Sequence, residues 1–260
     1  MTEHVLTRRD GAVRWLIFNK PEKHNALSLE MNEKALEVIE AFAAAPDERV
    51  LVVAGAGDKA FVSGADISEF EDRRSNAEKA DEYGRLTQRM FFALRDVEKP
   101  TVAMIRGYCL GGGMALATCC DIRIGAEASV YGIPAARLGI GYSADFIKLL
   151  ADLVGPSRAK EFLYTARRYS PAEAYDMGLL NRVVPTEELE AYVAEYAATM
   201  AANAPLTQRA TKIVVSELLA DPVGDGARGR KAVADCANSE DFRDARRAFM
   251  EKRKPVFHGR

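Results

Sequence analysis

Three stretches of this chain have residue types and spacings that could do chemistry. Residues 60–67, Ala-Phe-Val-Ser-Gly-Ala-Asp-Ile, are mostly small side chains that follow an apolar run. Residues 107–113, Gly-Tyr-Cys-Leu-Gly-Gly-Gly, lead directly into the helical Met114-Ala115-Leu116-Ala117. Glycines entering a helix let a ligand come close to the backbone, and the first-turn N–H groups there lack intrahelical partners. Such a place suits an anion, or an oxyanion that develops during a reaction. The same triplet also serves where a strand must pack tightly on a helix. Residues 133–145, Ile-Pro-Ala-Ala-Arg-Leu-Gly-Ile-Gly-Tyr-Ser-Ala-Asp, add a phenol and a carboxylate, Tyr142 and Asp145, in one turn-rich segment. Two nucleotide-binding patterns fail here. No Gly-Lys-Ser/Thr follows the glycines, as a P-loop needs. Residues 139–144 fit GxGxxA but follow no strand-like run.

The elements that must position these stretches alternate along the chain. Residues 13–18, 50–54, 101–105 and 122–124 are rich in Val, Ile and Leu and punctuated by Gly or Pro, which reads as strands. Helical patterns lie between them, over 28–44 with Ser28 as N-cap and over 80–94. This alternation predicts an α/β fold with helices packed on sheets. Ser170-Pro171-Ala172-Glu173 has a capping Ser, Pro at the first helical position and Glu three residues on, a helix start. From about residue 186 the pattern is wholly helical.

Composition narrows the function classes. The 260 residues are 48% apolar and 28% charged, enough for one sizeable core and against disorder. A net charge of −2 gives no basic footprint for nucleic acid. No apolar run approaches the roughly 18 residues of a membrane span, and the first residues do not read as a signal peptide. Cys109, Cys119, Cys120 and Cys236 lack paired spacing, so neither a disulfide framework nor a metal site is expected. The expectation is a soluble, cytoplasmic protein.

Taken together, the motifs resemble the crotonase superfamily, the enoyl-CoA hydratase and isomerase family, over essentially the whole chain. The resemblance is carried by Lys23-His24-Asn25-Ala26-Leu27, by residues 63–67, by Gly107 through Gly113 and by Pro134 through Gly139. It continues through residues 171–184, ending Gly-Leu-Leu-Asn-Arg-Val-Val, and the terminal Phe249-Met250-Glu251-Lys252-Arg253-Lys254-Pro255. It implies a spiral of strand–strand–helix units over residues 1–195, binding an acyl-CoA thioester, and a helical oligomerisation region over 196–260 that builds a homotrimer or a dimer of trimers. It places the thioester oxygen between the backbone N–H groups of Ala65 and Gly112, where an enolate would be stabilised. It sets Lys23, His24, Ala26, Ala65, Asp66 and Ile67 around the coenzyme A nucleotide and lets Lys252 reach its phosphates. No metal or cofactor is implied beyond the coenzyme A carried by the substrate.

One departure bears on the chemistry. A hydratase of this family uses two glutamates, and the matching positions here are Ala115 and Ala135. Adding water across a conjugated double bond needs groups to activate the water and to protonate carbon, each worth about 10²–10⁴-fold. Alanine does neither. Tyr142 stands where the methylmalonyl-CoA decarboxylases carry a tyrosine, although that branch has a histidine where this chain has Ala65. Isomerase and dehalogenase relatives place a catalytic aspartate at the position of Ser143, two residues before Asp145. Decarboxylase- or isomerase-type chemistry therefore suits this sequence better than hydration. The alternative class is an acyl-CoA carrier or sensor with little turnover.

Overall fold

A computed structural model describes residues 3–66 and 77–260, with the backbone alone for 77–83 and 86. Ile67 lies outside the described residues. A six-stranded sheet runs in the order β1-β2-β3-β5-β7-β9: β1 (Val5–Asp10), β2 (Val13–Phe18), β3 (Val50–Gly55), β5 (Thr101–Ile105), β7 (Ile122–Ala126) and β9 (Arg182–Val184). Only β1 is antiparallel to its neighbour. A second, three-stranded parallel sheet holds β4 (Ala60–Val62), β6 (Tyr108–Leu110) and β8 (Val130–Gly132).

The chain winds between the two sheets. A large-sheet strand, a small-sheet strand and a helix follow one another: β3, β4 and α2 (Ala77–Asp96), then β5, β6 and α3 (Gly112–Cys119). The next turn is β7, β8, a 3₁₀ turn at Pro134–Arg137, and α4 (Ala144–Val154). Before them, β2 leads through a 3₁₀ turn at Pro21–Lys23 into α1 (Leu29–Ala44). This is the spiral of strand–strand–helix units that the family resemblance implies. α5 (Pro156–Thr165) and α6 (Pro171–Asp176) complete the body.

Central strands are apolar along their length because both faces are covered. Residues Val50–Ala54 and all of β5 are buried. One face packs on the small sheet and on α1, α2 and α3, with Phe18, Met31, Phe42, Phe61 and Leu116 in that core. The other face is covered by α7 (Leu189–Ala202), whose Leu189, Val193, Ala197 and Ala201 recur every four residues and meet Trp15, Val52, Val102 and Ile124. The boundary expected at 195/196 therefore falls inside a helix of the sheet body. The helices that stand beyond it are α8 (Pro205–Ala220), α9 (Ala227–Asn238) and α10 (Glu240–Met250). Outward-facing residues of β1 are charged: Arg8 lies over the Trp15 ring and pairs with Asp10 and Glu190, and Arg9 pairs with Asp47. Among the described residues no helix is long and apolar enough to cross a membrane.

Candidate functional site

Two backbone segments meet where the small sheet gives way to α3. The first is the turn after β4. Residues 24–27 pair with it in a strand-like way, Ser63 N donating to His24 O at 3.1 Å and Leu27 N to Gly64 O at 2.9 Å. Asp66 N then donates to Leu27 O at 2.8 Å, so Leu27 and Ala65 form a parallel bridge. In such a bridge Leu27 uses the groups on either side of Ala65. The N–H of Ala65 itself faces away from this pairing.

The second segment is the glycine entry to α3. Gly111 is the N-cap, with φ +51° and ψ −110°, a conformation that residues with a Cβ avoid. Gly113 admits no side chain, since a Cβ there would lie 2.1 Å from Val62 O. Gly112 sits between them: a Cβ on it would lie 3.4 Å from Gly64 C and 3.5 Å from Ala65 N. The two segments are thus in van der Waals reach at the residues singled out from the sequence. Among the described residues, neither Ala65 N nor Gly112 N donates to another group of the protein.

Each of these N–H groups is one end of a peptide whose other end is anchored. A trans peptide is planar, with N–H and C=O pointing in opposite directions. Gly64 O, across the peptide from Ala65 N–H, accepts from Leu27 N. Gly111 O, across from Gly112 N–H, accepts from Ala115 N at 3.1 Å and from the Tyr142 hydroxyl at 3.0 Å. These bonds fix where both N–H groups aim. Burial pushes the Tyr142 phenol above the ordinary tyrosine range, and its ring packs beside Phe146.

The structure brings most of the sequence-derived candidates together. Asp66 is buried and accepts from Lys20 Nζ at 2.9 Å and Lys23 Nζ at 3.1 Å. His24 is exposed in a left-handed conformation and meets Tyr108 edge to face, and Ala26 lies in the same turn. Lys252 stands just after α10, exposed, and among the described residues its backbone N–H bonds to Phe249 O rather than to that turn. Asp145 is exposed in the first turn of α4, for which Ser143 is the N-cap. The Ser143 hydroxyl does not cap that helix; it is buried and has no hydrogen-bond partner among the described residues. Ala115 and Ala135 are both buried, 4% and 8% exposed, beside the glycine entry and on the Pro134–Arg137 turn.

Sequence reasoning passed over the residue that shapes the first segment. Asn25 is wholly buried; its Oδ1 accepts from Lys20 N at 2.9 Å, and its Nδ2 donates to Ala56 O at 3.0 Å and Ala60 O at 2.7 Å. Lys20, the nearer partner of Asp66, was also missed. The only signal for either is that Asn25 lies within the quoted motif.

The architecture is that of a crotonase fold. The sequence profile of the enoyl-CoA hydratase/isomerase family matches residues 8–260. The chain is 35% identical to a crotonyl-CoA hydratase of Syntrophomonas wolfei, over 98% of both chains. It is 33% identical to a short-chain-enoyl-CoA hydratase of Clostridium acetobutylicum, over 96% of both. Among solved structures, an enoyl-CoA hydratase/carnithine racemase from Magnetospirillum magneticum superposes with a TM-score of 0.95 at 33% identity, covering 100% of this chain and 97% of that one. An enoyl-CoA hydratase from Bacillus anthracis gives 0.94 at 31% identity, covering 99% and 100%. The chain belongs to the enoyl-CoA hydratase/isomerase family.

Proposed function

We propose that this protein is an acyl-CoA lyase or isomerase that stabilises a thioester enolate between the N–H groups of Ala65 and Gly112, without conventional hydration. The observation that carries this reading is the pair of undonated, anchored N–H groups beside two buried alanines at the glutamate positions. Donors fixed before reaction stabilise developing charge, about 3–4 kcal/mol for one measured oxyanion-hole donor.

Decarboxylation suits the remaining groups. As the bond to the carboxylate breaks, its electron pair forms the enolate and places the charge on the thioester oxygen. Carbon dioxide leaves, and the α-carbon then takes a proton. Tyr142 is the candidate donor: its O–H bond breaks as the α-carbon takes the proton, and solvent then re-protonates the phenolate, restoring the hydroxyl's bond to Gly111 O. No base is needed for that sequence. Isomerisation needs one, for which Asp145 is the candidate; the exposure of Asp145 favours the first reaction. Lys23, His24, Ala26, Asp66 and Ile67 are assigned to the nucleotide end of coenzyme A. Among the described residues Lys252 makes no bond to that turn, which supports its contribution from a neighbouring subunit of a homotrimer or hexamer. The exposed Leu218, Val233, Phe249 and Met250 on the C-terminal helices support such association.

The test is loss of the conjugated thioester absorbance of crotonyl-CoA with enzyme near stoichiometric, beside carbon dioxide release from malonyl- and methylmalonyl-CoA. The expected result is no hydration and measurable decarboxylation. Fast hydration would show that other groups supply acid and base. Tight binding with no turnover on any acyl-CoA would make the protein a carrier or sensor.

A further inference from the structure

We infer that Arg123 is a positioning residue for the thioester site, holding α3 from its far end so that Gly112 stays aligned with Ala65. The inference rests on the reading of the N–H pair proposed above. Arg123 lies on β7 and is 3% exposed. Its Nε donates to Leu179 O at 2.7 Å and its Nη1 to Cys120 O at 2.6 Å. Longer bonds of 3.4 Å run from Nη1 to Ala117 O and from Nη2 to Asp121 O. All four acceptors are main-chain carbonyls. Among the described residues no carboxylate pairs with this guanidinium, and the side chain of Asp121 is held by Thr101 and Lys212.

A buried cation with no carboxylate in direct contact is unfavourable unless fixed dipoles surround it. Here the carbonyls of Ala117 and of the C-cap residue Cys120 supply them. They belong to the negative pole of α3, where a cation is favoured. The eight residues of that helix span about 12 Å, so the clamped end and Gly112 are the two ends of one short rod. Near Gly112 the rod is fixed by Gly113 against Val62 and by Tyr142 on Gly111 O.

The same arginine gives a purpose to a motif otherwise unused at the site. Residues 178–184 supply Leu179 O to its guanidinium, and Asn181 brackets its backbone. Asn181 Oδ1 accepts from Arg123 N, and Asn181 N donates to Arg123 O, both at 2.9 Å. The body of the protein is thereby tied to the end of α3 through one side chain.

The experiment is isotope-edited infrared spectroscopy of butanoyl-CoA carrying ¹³C at the thioester carbonyl, bound to the whole protein. In the parent protein the carbonyl stretch is expected to fall below its free value. Arg123→Gln removes the charge and Arg123→Lys keeps it without the fork. The shift is expected to fall at least by half in Arg123→Gln and to be partly restored in Arg123→Lys. Butanoyl-CoA affinity should stay within about threefold. For a thioester that the protein turns over, kcat should drop about tenfold at a nearly constant KM. An unchanged shift in folded Arg123→Gln overturns the inference. If that variant does not fold, Arg123→Lys decides alone, and an unchanged shift there has the same force. No shift in the parent protein would instead overturn the reading of the N–H pair, so the two failures are distinct.

Discussion

At the residue scale, neighbouring glycines have separable duties. A Cβ on Gly112 meets its surroundings at 3.4–3.6 Å, ordinary contact, while one on Gly113 would lie 2.1 Å from Val62 O. Gly112→Ala should therefore fold with little change in melting temperature and lose activity by at least about 10²-fold, because the methyl lies beside the Ala65 N–H. Gly113→Ala should be destabilised by about 1–3 kcal/mol, since α3 must shift off β4. Thermal melts and turnover on the same preparations test the pair, and equal effects would sink the distinction. Tyr142→Phe should lower the decarboxylation rate by about 10²–10⁴-fold if its proton is the one transferred. Because burial raises the phenol above its ordinary value, the parent rate should show no Tyr142 titration as pH approaches 10. An alkaline limb that disappears in Tyr142→Phe would contradict this.

At the element scale, strength of pattern decided what could be read. The runs at 13–18, 50–54 and 101–105 are strands, and Ser28 and Ser170 cap helices as their spacing requires, Ser170 in a full capping box with Glu173. The three strands of the small sheet were not legible, because β4, β6 and β8 have three residues each, too few to show a period of two. The site was legible only in part for a related reason. Ala65 and Gly112 would act through backbone groups; the glycine entry marked a place for an anion, and the resemblance supplied the two particular residues. Asn25 and Arg123 bond to main-chain atoms far off in sequence, so no local spacing marks them. α7 offers a test at this scale. Val193 is wholly buried beneath the large sheet. Val193→Ala should destabilise by about 1–3 kcal/mol, read as a lower denaturant midpoint, and leave kcat unchanged.

At the scale of the whole molecule, stability should depend on pH through buried thiols. Burial raises Cys109 and Cys119 well above the ordinary thiol range and Cys120 to about 12. Above the unfolded value the denatured chain releases protons that the native state keeps, so stability is full below about pH 8.5 and declines as pH rises toward the folded values. Each such thiol contributes a slope of up to about 1.4 kcal/mol per pH unit in that window. Urea melts from pH 7 to 10.5 should show the midpoint falling from about pH 8.5, less steeply in Cys120→Ala. A flat profile would show that the thiols are hydrated. The charged border of the large sheet carries a different consequence. β1 is an edge strand of that sheet, paired on one side only among the described residues, and a free edge invites a strand from another molecule to join it. A visiting strand would have to disturb the side-chain ion pairs of Arg8 and Arg9, and the opposite edge, β9, offers only three residues. This fold should therefore stay dispersed when crowded or partly unfolded, with turbidity on heating expected to appear earlier once Arg8 and Arg9 are replaced by valine.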